Sequence, residues 1–226
     1  LHFHENAHLN FILSGGIIDK RQRSETERIS GDLMFFHAGE PHLTIYKRLP
    51  QINISLEIND GLFADDSFGK TFQIESLSKS ANTKFAALKI YKELAIQDEF
   101  SDSTIEMLIL NLLSDKTETK NEHPKWVEKV IELLNDSWNE PISLKDLAAA
   151  ANVYPTTISK HFPKYFSCTL GEYRRRLRVE KSLGFIKTSN QSLTEIAYQC
   201  GFADQSHFTR TFKQLTGFLP RQYETL

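Results

Sequence analysis

Ser143-Leu144-Lys145-Asp146-Leu147-Ala148 and Ser192-Leu193-Thr194-Glu195-Ile196-Ala197 are one phrase written twice, 49 residues apart. One inserted residue later, Ile158-Ser159-Lys160-His161-Phe162 returns as Phe208-Thr209-Arg210-Thr211-Phe212 at an offset of 50, and Tyr173 and Tyr223 keep that offset. Each copy opens on a serine suited to cap a helix. Glu195 sits three residues on and completes a capping box; Asp146 is a shorter imitation. A short apolar helix follows, then a tight turn at Asn152-Val153-Tyr154 or Gly201-Phe202-Ala203. The second helix of each copy starts at Pro155 or behind an Asp204 cap. It keeps one apolar stripe, Ile158/Phe162 or Phe208/Phe212, and presents small polar and basic residues elsewhere.

Two short helices joined by a tight turn, the second with a polar and basic outer face, describe a helix-turn-helix. The physical reason is fit. A major groove about 12 Å wide admits one helix, and its base edges offer donors and acceptors to Gln, Ser, Thr, Lys and Arg. A plain helical bundle shares the bare geometry, so one copy alone decides little. Two copies joined by a basic connector favour DNA.

The run Ile196-Ala197-Tyr198-Gln199-Cys200-Gly201-Phe202-Ala203-Asp204-Gln205-Ser206-His207-Phe208-Thr209-Arg210-Thr211-Phe212-Lys213, followed by Gly217, Pro220 and Tyr223, closely resembles the signature of the AraC/XylS transcription regulators. Glu172-Tyr173-Arg174-Arg175-Arg176-Leu177-Arg178-Val179-Glu180-Lys181 looks like their connecting helix, and the resemblance covers about 124–226. It implies two recognition helices on one rigid helix, entering successive major grooves of double-stranded DNA. Its base-facing slots fall on Thr156, Ser159 and Lys160 in the first copy, and on Gln205, Ser206, Thr209 and Arg210 in the second. Arg210 and Lys160 suit guanine O6/N7, Gln205 suits adenine, and Thr209 suits a thymine methyl. Arg174 and Arg175, with Arg176 and Arg178, are expected to meet phosphate or pack along the connector. Four arginines in five positions cannot share one helix face. Three positions depart from the signature: Pro163 replaces a usual lysine, Ser167 a usual glycine, and Leu219 a small hydroxyl residue. Pro163 predicts a first reading helix that is shorter, kinked or weaker.

Outward toward the start of the chain, the pattern becomes β. Phe3, Ala7, Leu9, Phe11 and Leu13 share one parity and His2, His4, His8, Asn10 and Ile12 the other, the period-2 mark of a strand. Ser14-Gly15-Gly16 reads as a turn, and short strands are expected around 33–36, 43–46 and 52–56. Five of the eight histidines lie in the first 42 residues. His2-x-His4, His8 and Gly15 have the spacing of a first cupin motif, with His8 in the glutamate position. Gly31, His37-Ala38-Gly39 and His42 resemble the second motif. The resemblance implies a cupin-like sensor barrel. His2, His4, His8 and His42 could hold a divalent metal such as zinc, nickel or iron. The plainer reading has them lining a cavity with no cofactor at all.

From Asn82 the period turns helical through Phe85, Leu88, Tyr91 and Ala95. It does so again through Ile105, Leu108, Ile109 and Leu112, a stripe expected to pair two chains. Lys116–Pro124 reads as a linker. The fold expected is therefore multidomain α+β: a cupin-like β-barrel over 1–78, a helical dimerisation segment and linker over 79–120, and an all-α domain with two helix-turn-helix motifs over 121–226.

Composition agrees with that division. The 226 residues carry a net charge of −2, which splits into −5 over 1–120 (13 Lys+Arg, 18 Asp+Glu) and +3 over 121–226 (14 and 11). A basic block on an acidic half suits a polyanion partner. Two cysteines exclude a disulfide scaffold, and no apolar run reaches the ~18 residues of a membrane span. The expected function is a cytoplasmic, sequence-specific DNA-binding transcription regulator, an activator and a homodimer, controlled by a small-molecule effector. It is expected to be no enzyme. The alternative is a cupin metalloenzyme with an accessory DNA module, and a pure interaction protein is a third reading.

Overall fold

The computed structural model describes residues 1–58, 80–114 and 123–226. Strand β1 (Ala7–Arg21) is the spine of an antiparallel sheet. Strand β4 (His42–Ile58) pairs with it from Ala7↔Ile58 to Arg21↔His42. Strands β2 (Ser24–Ile29) and β3 (Leu33–Phe36) also pair with β1, β2 over Gly16–Arg21 and β3 over His8–Phe11. The ribbon curls until His2 bridges His42, yet the described strands do not close into a barrel.

The expected turn at Ser14-Gly15-Gly16 is instead part of β1, where the register against β4 shifts. Gly15 takes φ +97°, and a Cβ there would overlap the Gln51 side chain and crowd the carbonyls of Arg48 and Pro50. Glycine thus makes a bulge rather than a reversal, because β4 stays paired on both sides of it.

The parity reading holds for the sheet's two faces. Leu9, Phe11 and Leu13 lie on the face turned to the helices. Ile12 and Ile17 pack with Met34 and Phe36 in a small cluster on the other. Phe3 is the exception, 64% exposed.

Helices α1 (Ala81–Ile96) and α2 (Ser101–Ser114) form a hairpin around a Ser101–Asp98 turn. Leu112 is buried, and Ile105, Leu108 and Ile109 are half-buried. The stripe expected to face a second chain is thus partly covered within its own. Helices α3 (Lys125–Asp136), α4 (Leu144–Ala150), α5 (Pro155–Phe166), α6 (Leu170–Thr188), α7 (Leu193–Gln199), α8 (Gln205–Thr216) and α9 (Pro220–Thr225) complete the described chain. The domain limits expected near 78 and 120, and most of the linker, lie outside the described residues.

Two cores hold the helices. Val130, Leu134, Leu147, Ala148, Ile158 and Phe162 form a local one beneath α4 and α5. The larger one joins Leu9, Phe11, Leu13 and Phe35 of the sheet and Phe85 and Leu88 of α1 to Leu183, Ile196, Phe208, Phe212 and Tyr223. Lys84–Glu180 (2.8 Å) and Lys92 Nζ to the Gly217 carbonyl (3.1 Å) clamp the same seam. Sheet and second helix pair therefore share one apolar interior.

Candidate nucleic-acid interface

The repeat in sequence is a repeat in structure. α4 and α7 each have seven residues, and α5 and α8 each have twelve. Ser143 accepts from the Asp146 amide while Asp146 accepts from the Ser143 amide (3.1 and 3.2 Å). Ser192 and Glu195 do the same (3.3 and 2.7 Å). Asp146 thus completes its box despite its shorter side chain. These hydrogen bonds favour the charged carboxylates, so both pKa values lie below the ordinary range.

The turns match bond for bond. Val153 N donates to the Ala148 carbonyl and Phe202 N to the Ala197 carbonyl, each at 3.0 Å. Asn152 (φ 53°) and Gly201 (φ 74°) are both left-handed. Only Gly201 has no room for a side chain: a Cβ would overlap the Asn139 carbonyl oxygen and press on the Arg178 guanidinium. Ser167, in the usual glycine position, takes φ 50° as the cap of α5.

Pro163 does not shorten the first reader. α5 continues to Phe166, and the Pro163 carbonyl accepts from the Ser167 amide at 3.0 Å. The missing amide and the ring's crowding bear on the Ser159 carbonyl, four residues back, while the helix runs on for three residues past the proline. Tyr173 and Tyr223 back the two second helices alike, against Phe162 (5.5 Å) and Phe212 (5.7 Å).

Thr156, Ser159 and Lys160 are exposed on α5; Gln205, Ser206 and Arg210 are exposed on α8, and Thr209 is half-buried. Each helix turns its apolar stripe inward, so these side chains occupy the outer face. Ser159 Oγ donates to the Thr156 carbonyl at 3.3 Å. Thr194 Oγ1 donates to Gln205 Oε1 at 2.7 Å, which fixes the amide and leaves its NH2 to donate outward. Sequence does not single out Thr194, because nothing in its spacing marks it as a partner of Gln205 across the turn.

The connector arginines divide. Arg174 donates to the carbonyls of Ile142 (3.0 Å) and Glu140 (2.8 Å). Arg178 donates to the carbonyls of Trp138 (3.1 Å), Gly201 and Glu140. Burial lowers the pKa of both. Arg174 is therefore a structural tie, its guanidinium engaged by backbone that no local spacing reveals. Arg175 is exposed and remains an outward cation of the connector, as does Lys181.

The candidate metal residues also meet. Ring centroids lie 4.4 Å apart for His2–His42, 5.1 Å for His2–His4, 5.4 Å for His4–His42 and 4.3 Å for His4–His8. Burial first, then the neighbouring imidazoles, lower the pKa of His2 and His8. His8 and His42 are buried, and His2 and His4 are exposed on the arm before β1.

Residues 147–225 match a protein family described as a helix-turn-helix domain. Over 95 residues, 42% of the chain, the sequence is 30% identical to the HTH-type transcriptional regulator GbdR of Pseudomonas aeruginosa, of which the match covers 26%. An uncharacterized HTH-type transcriptional regulator of Escherichia coli, YpdC, is 22% identical over 95% of the chain and 80% of its own length. Among solved structures, a Chromobacterium violaceum transcriptional regulator described by its AraC-type DNA-binding domain is 22% identical. It covers 44% of this chain and 89% of its own, with a TM-score of 0.42. The matched helices, with the signature at 196–223, are thus similar to those of HTH-type transcriptional regulators, and the chain spans only about a quarter of the length of GbdR.

Proposed function

We propose that the chain is a sequence-specific DNA-binding transcription regulator that reads double-stranded DNA through two helix-turn-helix motifs, α4–α5 and α7–α8. The carrying observation is that two matching helix pairs expose small polar and basic residues at equivalent positions on either side of one capped helix. α6 has 19 residues, about 28 Å at 1.5 Å per residue. That is close to the roughly 34–36 Å of a DNA turn separating half-sites on one face.

Arg210→Ala should weaken operator binding by about 1–3 kcal/mol and relax preference at one or two base pairs. Arg175→Ala should weaken all sequences about equally and reduce the salt dependence. Titration of the two variants on an operator mapped by footprinting, with base substitutions, checks both. Unchanged affinity and base preference in Arg210→Ala would count against α8 as a reading helix.

A homodimer through α1–α2 is part of this reading. Leu94, Ile96, Phe100, Met107 and Leu110 stay 46–65% exposed there, an apolar group that a second copy would cover. Sedimentation should show a dimer that Met107→Asp/Leu110→Asp converts to a folded monomer; a monomeric parent at micromolar concentration overturns it. A small-molecule effector and a cupin-like sensor remain what the resemblance implies. The reading assigns no catalytic residue and no enzymatic activity. Among the described residues, no helix is long and apolar enough to cross a membrane.

A further inference from the structure

We infer that the cavity between the α1–α2 hairpin, α6 and α8 is a binding site for a small carboxylic acid with a compact apolar body, its carboxylate held between Lys89 and Arg176. The cavity has a volume of about 260 Å³. That is the space of roughly nine waters at about 30 Å³ each, and it suits an acid of about as many non-hydrogen atoms. Phe85 of α1, Leu108 and Leu112 of α2 and Leu215 of α8 give it an apolar wall. Lys89 and Arg176 line it from α1 and α6. An apolar wall with a few convergent polar groups is the usual make-up of a small-molecule site.

These two cations are the ones the seam leaves without an anion. α1 carries three lysines, and the other two are engaged: Lys84 pairs with Glu180 (2.8 Å), and Lys92 Nζ donates to the Gly217 carbonyl (3.1 Å). The stem of Lys89 runs past the Gly217 cap of α8, where an added Cβ would meet its Cγ at 3.5 Å. Lys89 and Arg176 are both half-buried, and among the described residues neither has a hydrogen bond or a salt bridge. The carboxylates one turn from Arg176 on α6 are already used. Glu172 accepts from the Thr169 amide (2.8 Å), and Glu180 takes Lys84. Burial first, and then the Arg176 guanidinium, lower the pKa of Lys89. Like charges facing one partly desolvated cavity are costly, and an anion between them turns repulsion into attraction. A carboxylate has two oxygens to share between the ammonium and the guanidinium fork.

The place of the cavity gives it a structural consequence. It shares no residue with the histidine cluster of the sheet, and it lies where the hairpin meets the connector and the last turn of α8. A bound acid would add charge-assisted hydrogen bonds from α1 to α6 across the seam that Lys84 and Lys92 already hold. That fastening is independent of any contact with DNA.

The test is calorimetry of the whole chain, without DNA, against cyclohexanecarboxylate, its uncharged amide cyclohexanecarboxamide, and sulfate. The acid should bind at one equivalent with a Kd below about 1 mM. The amide has the body without the charge, and sulfate has the charge without the body. Each should bind at least about tenfold more weakly than the acid. Lys89→Met and Arg176→Gln should each weaken the acid by at least about tenfold, with melting of each variant measured alongside. Lys129→Met, which removes a surface cation of α3 outside the cavity, should bind as the parent does. The three ligands on the parent decide the question even where a variant unfolds. No uptake of the acid at millimolar concentration overturns the inference. So does an amide or a sulfate that binds as tightly as the acid, full affinity in a folded Lys89→Met or Arg176→Gln, or an equal loss in Lys129→Met.

Discussion

Phe212→Ala is expected to cost about 3–5 kcal/mol of folding stability and to lower the melting of sheet and helices together. Phe212 is 0% exposed, packed against Phe208 (5.6 Å) and Tyr223 (5.7 Å). It belongs to the interior that continues through Leu183 into Leu9, Phe11 and Phe35 of the sheet. A cavity there is felt on both sides of the seam, so probes of strand and helix should shift to the same new midpoint in denaturant. Phe162→Ala is the contrast. Phe162 is equally buried but belongs to the separate small core beneath α4 and α5. Its truncation should open that pair while the sheet stays folded, as expected of a local unit with its own core. Separate sheet and helix midpoints in Phe212→Ala would mean that the shared interior is not one cooperative unit.

Arg178→Ala is expected to cost about 2–3 kcal/mol, in the range of hydrogen bonds from a charged donor. Its guanidinium joins α6 to the carbonyls of Trp138, Glu140 and Gly201. The last is the turn residue of the second helix pair, so the loss should also loosen the setting of α8. Arg178→Lys should recover little, since one ammonium cannot span carbonyls that a planar fork reaches from several nitrogens. Thermal unfolding and operator affinity, measured on both variants, check this. A wild-type melting temperature in Arg178→Ala would show that these contacts contribute nothing net.

What the sequence made legible was local. Capping boxes, turn residues and the 49-residue echo depend on neighbours within a few positions, and the structure reproduces them bond for bond. Where partners are remote, the reading failed. A Gly15-Gly16 pair serves a turn and a bulge equally, and only the pairing of β4 decides. Arg174 stayed open between phosphate and packing along the connector, because the carbonyls of Glu140 and Ile142 that engage it come from 34 and 32 residues away. Pro163 was read as shortening, kinking or weakening α5, and of these the structure removes only the shortening, since the helix runs past it to Phe166. The histidines were grouped from spacing alone, and the curl of the sheet brings His42 to the arm that carries His2 and His4. The shared interior had no sequence signal, since an apolar strand face does not name the helix that will cover it.

The fastening of α6 has a last consequence. The helix is closed at its start by Thr169 and Glu172, and Arg174 and Arg178 tie its flank to the segment before α4 and to the turn after α7. Its length and pitch are therefore properties of the protein that DNA cannot renegotiate. On the proposed function, the operator is bound by angle as much as by letters. Two half-sites in helical phase let the second motif land at the high local concentration set by the first. An insertion of about five base pairs, half a turn, carries the second half-site to the far side of the duplex and removes that gain without altering a single contacted base.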